Sequence, residues 1–324
     1  MPTDHVPTDH VPTDNVPTPE PGDDRPAAVP LRLLTVHAHP DDEASKGAPT
    51  VAKYRDEGIL ATLVCCTGGE CGDILNPAMD RPEIRADLPR VRLEELARSV
   101  AAIGYDRYDL LGYRDSGMPD MEENASPDNF WNAPLDDAVG RLVAIIRRDR
   151  PQVIVTYGDD QRHYAHPDHL KVHDISLPAF DRAGDPGWYP EAGEPWQPLK
   201  LYYVEWSPTR IMALHGKYTD LGIDSPFAGD WIERIHAGEV PDRITTRIDI
   251  AEHYGVREAA LLAHATQVDP LESFWFGLPT EVARDAHPFD DYVLARSRVG
   301  PSAEQDMAEV TESDLFADVP GRRG

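Results

Sequence analysis

The chain has 324 residues, 40% of them hydrophobic, enough to bury a full core, and it contains no apolar run of the roughly 18 residues that a membrane span requires. Its 58 acidic against 31 basic side chains give a formal net charge of −27; setting aside residues 1–28 and 301–324, which carry −5 and −4, still leaves −18 on the remainder. So acidic a surface repels phosphate backbones and anionic lipid, making nucleic acid and membrane surfaces poor partners and a small molecule the better one, with the oligomeric state open.

Residues 2–18 repeat a pentapeptide, PTDHV-PTDHV-PTDNV-PT, too short to pack on itself and kept out of a helix by its prolines. With the stretch to Ala28 it reads as a disordered tail in which His5 and His10 are solvated. No basic region followed by an apolar one marks a secretion signal. Three cysteines, Cys65, Cys66 and Cys71, make no disulfide framework, so a reducing cytoplasm is expected.

LRLLTVHA (31–38) then predicts a buried strand, SKGAPTVAKYRDEG (45–58) a helix ending at Gly58, and ATLVCCT (61–67) the next strand. Leu93, Leu96, Ala97, Val100 and Ile103 fall on one helical face that Gly104 closes. YDLLGY (108–113) is a short strand, and Leu135, Val139, Leu142, Val143 and Ile146 form another helical stripe before strand QVIVTY (152–157). A helix after Pro167, strand KLYYVE (200–205) and a strand at 244–250 follow; from 301 the chain reads as a flexible acidic tail. Near-continuously apolar strands alternating with helices imply a parallel sheet covered on both faces. The expectation is one α/β domain over residues 29–300, Rossmann-like and doubly wound, whose later part (206–300) adds walls around a site.

The first strand runs into His39-Pro40-Asp41-Asp42-Glu43, where a dinucleotide-binding protein would carry a glycine-rich phosphate loop. Carboxylates and an imidazole there repel phosphate and attract a cation. The strand at 152–157 leads into His166-Pro167-Asp168-His169. In a sheet of order 3-2-1-4-5 the first and fourth strands are neighbours at the topological switch point, so both loops leave the same edge side by side. Two imidazoles and one carboxylate would hold a metal and leave a position open, as catalytic zinc sites do. Of the adjacent pair Asp41 and Asp42, one can bind the metal while the other accepts a proton from water. His166 and His169, three apart at a helix start, share a face, and Asp168 could orient an imidazole. His37, inside the strand, reads as a core histidine.

Other chemistries find no support. No G-x-S-x-G elbow follows a strand. Cys65 and Cys66 sit within an apolar strand as small hydrophobes, and Cys71, in GGECGD, has no basic neighbour in sequence to lower its pKa.

AHPDDE after the first strand and HPDH after the fourth resemble the LmbE / PIG-L deacetylase superfamily, whose members hydrolyse amides on amino sugars with zinc in a Rossmann-like fold. HAHPDDE-x-SKGA, TGGE-x-GDILNPAMD, LGYRDSGMP, AGEPW-x-x-KLYYV, RITTR and HATQ-x-DP together are similar to its mycothiol S-conjugate amidase branch, across residues 31 to about 298. The resemblance implies His39, Asp42 and His169 as ligands of zinc (ferrous iron being the alternative), Asp41 as base, and His166 as general acid or charge stabiliser. It implies Tyr164 as a donor to the developing oxyanion, and Glu70, Arg92 and Asp115 as contacts to inositol and glucosamine hydroxyls. Lys46, one turn past Asp42, matches the amidase branch and is expected to reach the acyl-cysteine part of the substrate.

The implied reaction is hydrolysis of the amide of a thiol-sugar conjugate, releasing glucosaminyl-inositol and an S-substituted N-acetylcysteine. Cys71 stands where an arginine is expected, and segments 117–134 and 219–241 depart from the family pattern near the expected substrate entrance. These departures leave detoxification and natural-product biosynthesis both open. The rival readings are N-deacetylation of acetylglucosaminyl-inositol with the same machinery, and a non-catalytic metal or sugar-conjugate binder.

Overall fold

The computed structural model describes residues 30–159, 165–300 and 311–322. The repeat read as a disordered tail therefore lies outside the described residues, as does Tyr164. In chain order the elements are β1 (Arg32–His37), α1 (Asp42–Ser45), α2 (Ala48–Asp56), β2 (Leu60–Thr67), α3 (Pro82–Arg85), α4 (Leu88–Ile103) and β3 (Arg107–Tyr113). They continue with α5 (Leu135–Asp149), β4 (Val153–Tyr157), α6 (Pro167–Arg182), β5 (Lys200–Glu205), α7 (Pro208–Leu221), α8 (Asp230–His236) and β6 (Thr246–Asp249). The last are α9 (Gly255–Ala263), α10 (Ser273–Phe276), α11 (Thr280–Ala286) and β7 (Phe289–Ser297).

Among the described residues seven strands form one sheet in the order β3-β2-β1-β4-β5-β7-β6. The first five are parallel, so the expected doubly wound order is present and β1 lies directly against β4, Leu34 opposite Ile154. Side chains alternate across each strand. In β2, Leu63 and Cys65 join the core beneath α2, α4 and α9, while Val64 and Cys66 join the core beneath α5 and α6. Both faces are buried, which is why these strands read as unbroken apolar runs.

Three features differ from the sequence reading. The helix expected over 45–58 starts only at Ala48, because Gly47 takes φ +94°, a backbone setting that suits glycine, and separates it from the short α1 that ends at Ser45. A strand that sequence did not reveal, β7, enters antiparallel between β5 and β6. Finally, residues 311–322 are not a loose acidic tail. Leu315, Phe316 and Val319 are at most 3% exposed in the first core, and Glu312 is hydrogen-bonded by Lys200 Nζ at 2.6 Å and bridges to Thr246. Three apolar side chains spaced over five residues outweigh the acidic composition around them.

Candidate metal centre

β1 ends at His37 and the chain turns at once through Pro40. Asp42 opens α1 and folds its carboxylate back, where Oδ2 accepts the His39 N–H at 2.9 Å. That turn places Asp42 Oδ2 3.3 Å from His39 Nδ1. From the neighbouring loop, His166 caps α6: its Nδ1 accepts the Asp168 N–H at 3.2 Å, and Pro167 at the first helical position needs no N–H partner. One turn on, His169 brings Nε2 to 3.3 Å from the same Asp42 oxygen. His39, Asp42 and His169 are all buried, and their donor atoms lie within 4.8 Å of one another. The two loops meet because β1 and β4 are adjacent at the switch point.

A second set, His39, Asp115 and His166, is as compact, but it draws on groups already engaged. His39 Nε2 faces Asp168 Oδ2 at 3.2 Å, and Asp115 Oδ1 accepts the Gly117 N–H at 2.9 Å. Asp168 is itself fixed by the Ser116 N–H at 3.0 Å and the Ser116 hydroxyl. It thus orients the His39 ring so that Nδ1 faces Asp42 and His169.

The electrostatics suit a cation. Burial alone would depress the His39 imidazole, but Asp115, Asp168 and Asp42 hold it well above its ordinary value. Burial opposes ionisation of Asp42 too, yet Lys46 and His169 keep its carboxyl well below the usual range. Burial pushes His169 down to about 4 against the pull of Asp42. An ionised Asp42 beside a neutral His169 is the state a metal needs of its ligands, and His39, held in its protonated form by the surrounding carboxylates, would release a proton on binding the ion. Two nitrogens with one oxygen suit zinc or ferrous iron. The residues fit the group.

Asp41 and Asp42 point apart. Asp41 sits at φ 120°, a strained setting for a residue with a Cβ. Its side chain is 30% exposed, against 5% for Asp42. Burial of the turn raises the Asp41 carboxyl above its ordinary value, against the pull of Arg92, the direction that suits a base working near neutral pH. His166 is lowered by burial and then by the charge of His39. With Nδ1 accepting from Asp168, the neutral ring carries its proton on Nε2.

The other expected residues cluster at the same sheet edge, but several have different partners. Arg92, 2% exposed, donates to the carbonyls of Pro40 and Gly69 and, at 3.0 Å, to Asp41 Oδ2. A guanidinium so committed holds the turn and has little left for a sugar hydroxyl. Asp115, 5% exposed, accepts from Cys71 and Gly117, while Glu70 accepts the Asp115 N–H at 2.9 Å. Lys46 Nζ lies 2.6 Å from Asp42 Oδ1. Cys71 donates its thiol hydrogen to the Asp115 carbonyl, and burial, then Asp115, raises it to about 12. His37 is fully buried, 3.3 Å from the Tyr157 hydroxyl.

Two groups escaped the sequence reading. One is a buried hub: Glu43 accepts from His264, Ser99 and the Asp41 N–H. The third acidic residue after His39 and the HATQ stretch were visible, but nothing in sequence joins them. The other is an aromatic wall. A cavity of about 460 Å³ opens at Lys46, Tyr157 and His169 and runs along Trp206, Phe227, Trp231, Phe274 and Trp275. Trp206 stacks on Phe274 with ring centroids 5.3 Å apart. Phe227, Trp231, Val240 and Pro241 come from segment 219–241, whereas 117–134 contributes none of the lining and ties to the Asp168 loop through the Trp131 N–H, which donates to Ser116 Oγ at 2.8 Å. A smaller cavity of about 200 Å³ behind the wall holds none of the candidate metal ligands.

Residues 34–180 match the PIG-L family, described as GlcNAc-PI de-N-acetylase. A mycothiol S-conjugate amidase of Streptomyces coelicolor is 42% identical over 298 residues, spanning 89% of this chain and 97% of its own. A 1D-myo-inositol 2-acetamido-2-deoxy-alpha-D-glucopyranoside deacetylase of Thermobispora bispora is 38% identical over 303 residues, spanning 89% and 98%. Among solved structures, N,N'-diacetylchitobiose deacetylase of Pyrococcus horikoshii superposes with a TM-score of 0.55 at 15% identity, over 81% of this chain and 83% of that one, a likeness of fold alone.

Proposed function

The chain belongs to the PIG-L (LmbE) family of GlcNAc-PI de-N-acetylases, and from that premise we propose that it is a zinc-dependent amidase that hydrolyses the amide of mycothiol S-conjugates. The products are glucosaminyl-inositol and an S-substituted N-acetylcysteine. His39, Asp42 and His169 are the proposed ligands. When bound, the metal supplies Lewis-acid charge at the amide carbonyl and makes a water acidic enough to ionise near neutral pH.

The rest falls to the chain. Asp41, held by Arg92 and by the Glu43 carboxylate on its N–H, takes the proton of the attacking water. His166 gives its Nε2 proton to the departing glucosamine nitrogen. Tyr164, two residues ahead of His166, is the proposed donor to the carbonyl oxygen. Asp168 keeps His39 in one orientation. Of Glu70, Arg92 and Asp115, Glu70 is the one left open to a sugar hydroxyl, while Arg92 and Asp115, both buried, hold the surrounding loops.

The observation that carries the amidase reading is the cavity of about 460 Å³ that begins at His169 and Lys46. An acetyl group would leave nearly all of it empty, whereas an acyl-cysteine with a bulky sulfur substituent would cover its aromatic wall. The similarity to a deacetylase at 38% identity keeps the acetylated sugar as the second reading. The test is a panel on metal-saturated enzyme, with conjugates of graded S-substituents against acetylglucosaminyl-inositol. We expect kcat/KM to favour the conjugates and to rise with substituent size. A preference for the acetylated sugar would assign the site to deacetylation, and hydrolysis of neither would leave the binding protein.

A further inference from the structure

Helix α1 begins inside a run of three acidic residues, Asp41-Asp42-Glu43, and only the first two carry the proposed chemistry. Glu43 is fully buried, with no opening toward substrate. Its oxygens face opposite ways. Oε2 accepts the backbone N–H of Asp41 at 3.0 Å. Oε1 is gripped by His264 Nε2 at 2.6 Å and by the Ser99 hydroxyl. His264, also fully buried, closes α9, and Ser99 lies on α4. Two helices far apart in sequence therefore converge on one carboxylate, and that carboxylate holds the turn that presents Asp41.

The turn needs holding. Asp41 is at φ 120°, and a residue with a Cβ stays in such a setting only where its surroundings over-determine it. Arg92 holds its side chain, with Nη2 on Asp41 Oδ2 at 3.0 Å and on the Pro40 carbonyl at 2.6 Å. Glu43 holds its backbone, and the N–H it grips lies on the bond about which φ turns. Well-packed apolar side chains could replace a buried ion pair with little loss of stability. What the pair adds beyond packing is an acceptor aimed at that N–H.

We propose that the buried Glu43–His264 pair is a positioning unit that keeps the Asp41 backbone in its strained turn and so aims the Asp41 carboxylate at the reacting water. The proposal rests on the reading of Asp41 as the base. Neither Glu43 nor His264 touches substrate or metal; they act through Asp41.

The test uses the full-length, metal-loaded enzyme. His264→Leu leaves Glu43 without its strongest donor, and His264→Gln keeps an amide N–H where Nε2 lies. Misplacing a catalytic group by about 1 Å costs roughly 10²-fold. His264→Leu should therefore lower kcat about 100-fold, equally on thiol conjugates and on the acetylated sugar, with KM and metal per chain unchanged. His264→Gln should recover most of the loss. A crystal structure of His264→Leu should show Asp41 relaxed out of positive φ. If that variant does not fold, Glu43→Leu, which removes the acceptor at the Asp41 N–H, is read in the same two ways. Asp41 still at φ near 120° in either variant, or wild-type kcat per metal-loaded chain, overturns the proposal. Should the wild type hydrolyse neither substrate, the functional reading fails instead, and the crystal structure still decides whether Asp41 follows the pair.

Discussion

Lys46 Nζ lies 2.6 Å from Oδ1 of Asp42, while the other oxygen of that carboxylate stands 3.3 Å from both His39 Nδ1 and His169 Nε2. The ammonium therefore occupies the back of the candidate ligand. It fixes the carboxylate with one oxygen toward the two imidazoles and helps keep it ionised. Lys46 also lines the cavity, so the position agrees with a substrate contact, but its ammonium is already paired with Asp42. Lys46→Met is expected to weaken metal binding and to lower kcat/KM on conjugate and acetylated sugar alike. A hydrogen bond to a charged group is worth about 1.5–3 kcal/mol, or about 10–150-fold. Chelator competition and the ratio of the two kcat/KM values measure this. A loss confined to conjugates, with metal affinity intact, would return Lys46 to the acyl-cysteine contact expected from sequence.

The neighbouring carboxylates should separate cleanly. Asp42→Ala removes the oxygen on which both imidazoles converge, and metal content should collapse. Asp41→Asn keeps a residue type that tolerates positive φ and should retain full metal while turnover falls about 10²–10⁴-fold. Elemental analysis beside kcat reads both. Metal lost from the Asp41 variant and retained by the Asp42 variant would exchange their roles.

The aromatic wall makes a prediction about size. Trp231 stands on α8, in the segment that departs from the family pattern, and lines the cavity. Fully burying a large apolar group is worth about 1.5–3 kcal/mol. Trp231→Ala should therefore lower kcat/KM by roughly 10–150-fold for conjugates with bulky aromatic substituents, and hardly at all for the acetylated sugar. Equal losses on both substrates would mean the wall serves folding and not selection.

How much of this was legible in sequence depended on distance along the chain. The runs 32–37 and 60–67 are apolar on both faces, so β1 and β2 and their place inside a parallel sheet were readable. The switch-point rule then brought His39 and His169 together across 130 positions, and the structure does place them around one carboxylate oxygen. β7 was not readable, because Asp290 and Asp291 break its apolar pattern; both are buried there, Asp290 paired with Arg257 and Asp291 facing His287 Nε2 at 2.9 Å and Arg247 Nε at 3.4 Å. Arg92 was read as a contact to sugar hydroxyls, and its hold on the turn was not legible because its partners, the Pro40 and Gly69 carbonyls, carry no side-chain signal. The wall draws on residues 206, 227, 231, 274 and 275, and no local pattern predicts their convergence.

Cys71 should be a poor nucleophile. Burial, then the charge of Asp115, raises its thiol from 9.0 to about 12. The shift is upward, so the thiolate fraction at pH 8 is roughly 10³-fold below that of an unperturbed thiol, and it recovers only as the pH climbs toward 12. Native protein should resist iodoacetamide at pH 8 and react fully once unfolded. Alkylation of Cys71 at the rate of free cysteine, mapped by peptide mass, would sink the assignment and reopen a thiol chemistry for the loop.

The end of the described chain offers the sharpest test of packing over composition. Lys200 is 0% exposed, and its ammonium meets Glu312 Oε1 at 2.6 Å and the Ala317 carbonyl at 3.3 Å. Glu312 also accepts the Tyr202 hydroxyl, so one carboxylate ties the segment 311–322 to two residues of β5. Removing one partner of a buried ion pair strands the other charge, which typically costs about 3–5 kcal/mol. Glu312→Ala should lose that much in urea denaturation, a large share of the 5–15 kcal/mol typical of a domain. The double variant Glu312→Ala with Lys200→Met should recover most of it, since methionine fills the site without a charge. The segment lies on the face of the sheet beneath α2, α4 and α9, so kcat per folded, metal-loaded chain should stay at the wild-type value. A change below about 0.5 kcal/mol in Glu312→Ala would mean that the segment detaches in solution and that the acidic composition, not the three apolar anchors, decides its state.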